Sequence, residues 1–87
     1  MLDWQAKGLS RVFDRITFDP NIMGGRACVR GMRITVGFVV NLVANGMTID
    51  EIIAEYPDLE PEDVRQALAY ASALANEEIH FFTSPAA

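Results

Sequence analysis

Residues 45–63, NGMTIDEIIAEYPDLEPED, decide the fold. Asn45-Gly46 ends one helix, because Gly46 can take the left-handed conformation that closes a helix C-terminus. Thr48 starts the next. Its hydroxyl can accept from the Glu51 amide while the Glu51 carboxylate reaches back to Thr48, a capping box. Ile49, Ile52, Ile53 and Tyr56 then recur at helical spacing and form a buried face. Pro57 stops this helix. Pro61 suits the first position of a third helix, and Glu62 and Asp63 in its first turn suit the helix dipole. Glu60, at the N-cap, is a weak capping residue.

Downstream, Val64, Ala67, Leu68, Ala71, Leu74 and Ala75 form one continuous stripe, predicting a third helix of about four to five turns. Its alanines permit close helix–helix approach. The chain closes on FFTSPAA, where Phe81 and Phe82 read as a last anchor of the helix or as an exposed apolar hook for a partner. Upstream, Thr35 is the expected N-cap of the first helix, with Val36, Val39, Val40 and Val43 on its inner face and Leu42 widening the stripe.

Before Thr35 the pattern changes. Ile16-Thr17-Phe18 reads as a short strand, DPNIMGG as a turn, and Ala27-Cys28-Val29 as the pairing strand. Gly31 interrupts that run with a bulge or tight turn. In a regular strand Arg30 and Arg33 would face opposite ways. A kink at Gly31 lifts that restriction and lets them converge. Residues 1–14 carry a weak helical pattern in Trp4, Leu9, Val12 and Phe13, broken by Gly8, which predicts a short helix or arm. The expected fold is mainly α: a small winged helix-turn-helix-like domain, with a short N-terminal β-hairpin followed by three helices. An arm (1–14), the domain (15–80) and a tail (81–87) divide the chain.

Composition narrows the function classes. The chain has 87 residues, 51% of them hydrophobic, and a net charge of −5. That is one small domain, with apolar surface left for a partner. Its single cysteine, Cys28, forms no internal disulfide, which points to a reducing, cytoplasmic setting. No apolar run approaches the roughly 20 residues that cross a bilayer, so no membrane association is expected. Charge is uneven: residues 1–33 carry a net +3 and residues 34–87 a net −8. The two ends therefore suit different partners. Neither an enzyme nor a metal or other cofactor is expected. His80 stands alone, Cys28 sits between apolar neighbours, and no cysteine–histidine cluster has zinc spacing. The carboxylates Asp58, Glu60, Glu62 and Asp63 lack the spacing of a calcium loop. The glycines of GGR do not open a helix at phosphate-loop spacing.

Two longer segments are specific. ITFDPNIMGGRACVRGMRITV (16–36), followed by LVANGMTIDEIIAEYPDLEPEDVRQALAYA (42–71), closely resembles the domain-of-unknown-function 433 family. Its pattern runs I-x-x-D-P-x-x-x-G-G-K-P-x-I-R-G-T-R-I-x-V, then G-x-[ST]-x-E-E-I, Y-P-x-L and A-L-x-Y-A. Gly24, Gly25, Arg30, Gly31, Arg33 and Ile34 stand at signature positions. Arg26 replaces lysine, Ala27 proline, Met32 threonine, and Glu60 the threonine that often caps the third helix. The resemblance implies a helix-turn-helix antitoxin of the VapB type, paired with a PIN-like ribonuclease toxin in a type II toxin–antitoxin system. Its expected role is to neutralise the toxin by direct binding and to autoregulate its operon by binding operator DNA, as a homodimer. The alternatives are a stand-alone transcriptional regulator or a protein-interaction module without DNA binding.

The expected contacts to toxin or DNA are Arg26, Arg30, Arg33, Arg65 and Gln66, with Lys7, Arg11 and Arg15 as secondary basic contacts and Phe81 and Phe82 as an apolar contact. Three readings of the arginines stay open. They can pair with the metal-binding carboxylates of a nuclease, with DNA phosphates, or with acidic groups of their own domain, Asp14, Asp19 and the third helix.

Overall fold

A computed structural model describes the backbone of residues 13–86 and the side chains of residues 13–76. Two short strands, β1 (Ile16–Thr17) and β2 (Cys28–Val29), precede three helices, α1 (Val36–Ala44), α2 (Ile49–Glu55) and α3 (Pro61–Ala86). The expected hairpin and three helices are present.

The strands pair antiparallel, Ile16 with Val29 and Thr17 with Cys28. β1 is one residue shorter than expected. Phe18 leaves the ladder because Asp19 turns the chain: its carboxylate accepts from the Asn21 amide at 2.9 Å and its carbonyl accepts from the Ile22 amide at 2.9 Å. After β2 the chain doubles back. Met32 N–H donates to the Val29 carbonyl at 2.8 Å, Val29 N–H to Ile34, and Val36 N–H to Ala27, while Cys28 bridges Thr35. The turn is tight because Arg30 (φ 45°) and Gly31 (φ 71°) are both left-handed.

This ladder delivers the chain straight into α1. Thr35 caps it, its hydroxyl accepting from the Phe38 amide at 3.0 Å. A Schellman closure ends it: Met47 N–H donates to Leu42, Gly46 N–H to Val43, and Gly46 has φ 95°. The capping box opens α2 as the spacing predicts, with Glu51 N–H on Thr48 Oγ1 at 3.1 Å and Thr48 N–H on Glu51 Oε1 at 2.8 Å.

α3 runs 26 residues, about 39 Å at 1.5 Å per residue. It exceeds the expected four to five turns, because residues 61–76 contain no glycine and much alanine. It packs across both α1 and α2. The core is Ile16, Val29, Val36, Val39, Ile52, Leu59, Val64 and Ala67. Ala71 is half-buried and Leu74 is 49% exposed, so the packed stripe ends a turn before the sequence pattern does. Among the described residues, no helix is long and apolar enough to cross a membrane.

Replacing Thr48 by alanine removes one arm of the capping box and should lower the unfolding free energy by about 1 kcal/mol. Urea titration reads this as a lower midpoint at unchanged slope. An unmoved midpoint would show that the box contributes nothing.

Candidate functional site

The basic residues converge on one carboxylate. Arg15 lies just before β1 and Arg30 just after β2, and the Arg30 amide donates to the Arg15 carbonyl at 2.7 Å. The ladder thus sets the two side chains next to each other. Opposite them lies Asp63, in the first turn of α3, with 0% exposure. Arg30 grips it with Nε at 3.0 Å from Oδ1 and Nη2 at 2.8 Å from Oδ2, while Arg15 Nη1 lies 2.9 Å from Oδ1. The Glu60 amide donates to Oδ2 at 2.8 Å. Asp63 therefore completes the cap that Glu60, a poor N-cap, cannot provide from its own side chain.

Two further contacts tie the hairpin down. Arg30 Nη2 donates to the Asp58 carbonyl at 2.7 Å, and Arg15 Nη1 to Glu60 Oε1 at 2.6 Å. One turn along α3, Gln66 Oε1 accepts from the Arg15 amide at 2.9 Å, and Gln66 Nε2 donates to Asp14 Oδ1 at 2.8 Å.

Burial alone pushes the Asp63 carboxyl up. Hydrogen bonds from Arg30, the Glu60 amide and Arg15 outweigh it and hold the group below its ordinary value. Arg15 is raised, first by its bond to Glu60 and then by that to Asp63, and Arg30 by its bond to Asp63. The cluster stays charged throughout the physiological range. Donors occupy both oxygens of Asp63, so it has no lone pair left for a metal or a substrate proton. Among the described residues, no group of three or more histidines, cysteines or acids is placed to hold a metal. The chemistry of this arrangement is that of a clamp.

The structure places the expected contact residues unequally. Arg15, Arg30 and Gln66 face their own domain, because the left-handed turn at Arg30 and Gly31 sends the Arg30 side chain back onto α3. Arg33 does not join Arg30. It is exposed, with no ion pair among the described residues. Arg26 is also exposed, and Arg65 pairs with Glu62 one turn away at 3.1 Å. Lys7 and Arg11, and the side chains of Phe81 and Phe82, lie outside the described residues.

Two features escaped the sequence reading. Asp63 passed as an ordinary first-turn acid. The available signal was the weak N-cap at Glu60, which demands help from another side chain. The second is an open apolar groove of about 390 Å³ between α1 and α3, lined by Ala27, Val36, Gly37, Val40, Tyr70 and Leu74, with Arg26 at its rim.

The sequence pattern of the family described as "Protein of unknown function (DUF433)" matches residues 16–71, which include Arg30 and Asp63. The chain belongs to the DUF433 family. A curated relative, "Uncharacterized protein y4eO" of Sinorhizobium fredii (strain NBRC 101917 / NGR234), is 38% identical over 58 residues, 67% of this chain and 26% of that protein. This DUF433 chain thus spans about a quarter of that relative's length. The crystal structure of a DUF433 member protein from Anabaena variabilis ATCC 29413 is similar at TM-score 0.68 and 28% identity, over 87% of this chain and 75% of that one.

Asp63→Asn leaves two arginines facing a neutral amide and should destabilise this DUF433 domain by about 2–3 kcal/mol, reduced from a fully buried pair because the arginines reach solvent. Folding holds the carboxyl below its ordinary 3.8, so its stabilisation is whole above that pH and is lost as pH falls through the folded value. The difference in melting temperature between wild type and Asp63→Asn should therefore shrink as pH is lowered below about 3.8. A difference independent of pH would exclude an ion-pair role.

Proposed function

We propose that this chain is an antitoxin-type binding domain that neutralises a PIN-like ribonuclease by direct contact, with Arg33 as its principal charged contact. The observation that carries this reading is the division of labour among the arginines. Arg15 and Arg30 are committed to Asp63, whereas Arg33 projects from the same turn, exposed and without an ion pair among the described residues. A nuclease that binds metal through clustered carboxylates presents a concentrated negative charge. An arginine keeps its charge when desolvated and matches carboxylates bidentately.

Charge at the helix starts favours a protein partner over DNA. α2 opens with Asp50 and Glu51, and α3 with Glu62 next to the exposed Glu60, the buried Asp63 aside. Either helix, offered to a groove, would bring carboxylates toward phosphates, whereas recognition helices usually bring basic or amide groups. Operator binding, as the second reading, rests on the exposed Arg26 and Arg33 of the hairpin, doubled in a homodimer. A cytoplasmic location accompanies both readings.

The test pairs this chain with the nuclease from the neighbouring reading frame and measures RNA cleavage and affinity. Arg33→Glu should weaken the complex by about 2–5 kcal/mol at an almost unchanged melting temperature. Arg30→Ala should do the reverse, melting earlier while the folded fraction keeps its affinity. Full neutralisation by Arg33→Glu would remove the assignment. Operator affinity that falls steeply with salt and is lost in Arg26→Ala/Arg33→Ala would favour the DNA reading.

A further inference from the structure

The groove between α1 and α3 is apolar along Val40, Ala71 and Leu74, and Leu74 is 49% exposed. Its charge sits where β2 leads into α1. The Val36 amide donates to the Ala27 carbonyl at 2.9 Å, which sets Arg26 beside the α1 N-terminus. Arg26 is the one charged residue lining the groove among the described residues. It is exposed and forms no ion pair among them. The first turn of α1 adds a donor. The Ala27 carbonyl takes the Val36 amide and the Thr35 hydroxyl takes that of Phe38, while the Gly37 amide between them has no hydrogen bond among the described residues. Gly37 lines the same groove.

We propose that the groove docks an amphipathic helix of a partner protein, one that carries a carboxylate beside its apolar seam, with Arg26 and the Gly37 amide receiving that carboxylate. The charge decides the sign: an unpaired guanidinium next to a helix N-terminus attracts an anion. The lining decides the rest of the ligand, because covering Val40, Ala71 and Leu74 takes apolar surface out of water at roughly 25 cal/mol per Å². Nucleic acid offers the charge without that apolar face. A small amphiphile would stay half-exposed in an open trough, whereas small-molecule pockets bury about 70–90% of their ligand. A helix needs only its apolar face covered. A second copy placed groove to groove would bring another Arg26 and no acid, since no carboxylate lines this surface among the described residues. The inference goes beyond the antitoxin reading and does not use Arg33, which is not among the lining residues.

The probe is a pair of synthetic helical peptides with leucines at i, i+3, i+4 and i+7 and otherwise alanine and glutamine. One carries a single glutamate flanking the seam and its twin a lysine there. Titrated into the full chain labelled with nitrogen-15, the glutamate peptide should shift the amide resonances of Gly37, Val40 and Leu74. The lysine twin should bind about tenfold more weakly, because a surface attraction becomes a repulsion. Arg26→Glu should reverse that order at an almost unchanged melting temperature. Gly37→Leu fills the groove, where an added Cβ meets nothing nearer than Thr35 Oγ1 at 3.9 Å, and should abolish binding of both peptides. Arg33→Glu should change neither affinity. The proposal is overturned if the glutamate peptide leaves the groove resonances in place, if both peptides bind equally, or if binding survives Gly37→Leu. Groove resonances that move with protein concentration alone would assign the surface to a second copy instead. Nuclease binding is not measured, so this proposal and the Arg33 assignment can fail separately.

Discussion

One buried carboxylate organises the molecule. Asp63 joins residues 48 and 33 positions away in sequence, and it does so at 0% exposure. A two-stranded ladder this short is not stable alone in water. The backing comes from α3, through Asp63 on the guanidinium groups and Gln66 on the Arg15 amide. Burying a charge costs several kcal/mol, and an ion pair returns that only with good geometry. Here the geometry is bidentate from Arg30, with a helix N-terminus adding its own amide. The gain is register more than net stability: the hairpin can sit on α3 in one way.

Local signals were legible and long-range ones were not. The caps at Thr35 and Thr48 and the Gly46 closure could be read because each is decided within about four residues. The hairpin pairing followed from turn formers and β-branched residues. The end of packing along α3 could not be read, because an alanine-leucine stripe continues whether or not another element lies against it. Nor could the aim of Arg30. Glycine at 31 announced a kink, but its direction depends on Arg30 itself being left-handed, which that residue type rarely is. The one open reading that the structure favours for Arg15 and Arg30 is pairing within their own domain.

The signature of the family therefore divides by task. Gly25 and Gly31 hold left-handed backbone, at φ 84° and 71°, and Arg30 holds the hairpin to α3. Arg33 and the apolar trough remain outward, beside helices that begin with acids. Among the described residues this surface carries two exposed arginines without an ion pair, Arg26 and Arg33, together with apolar area.

Position 30 carries two demands that pull in different directions. Its backbone, at φ 45°, would be served by glycine or asparagine, while Asp63 needs a long bidentate cation. Arginine is kept against a conformational preference worth about 1 kcal/mol, and only while its acid partner is present. The two sites are thereby tied in sequence drift. Once Asp63 is lost, the reason for arginine goes with it, and glycine or asparagine becomes the better residue. Homologues lacking the acid would be expected to have relaxed the turn as well.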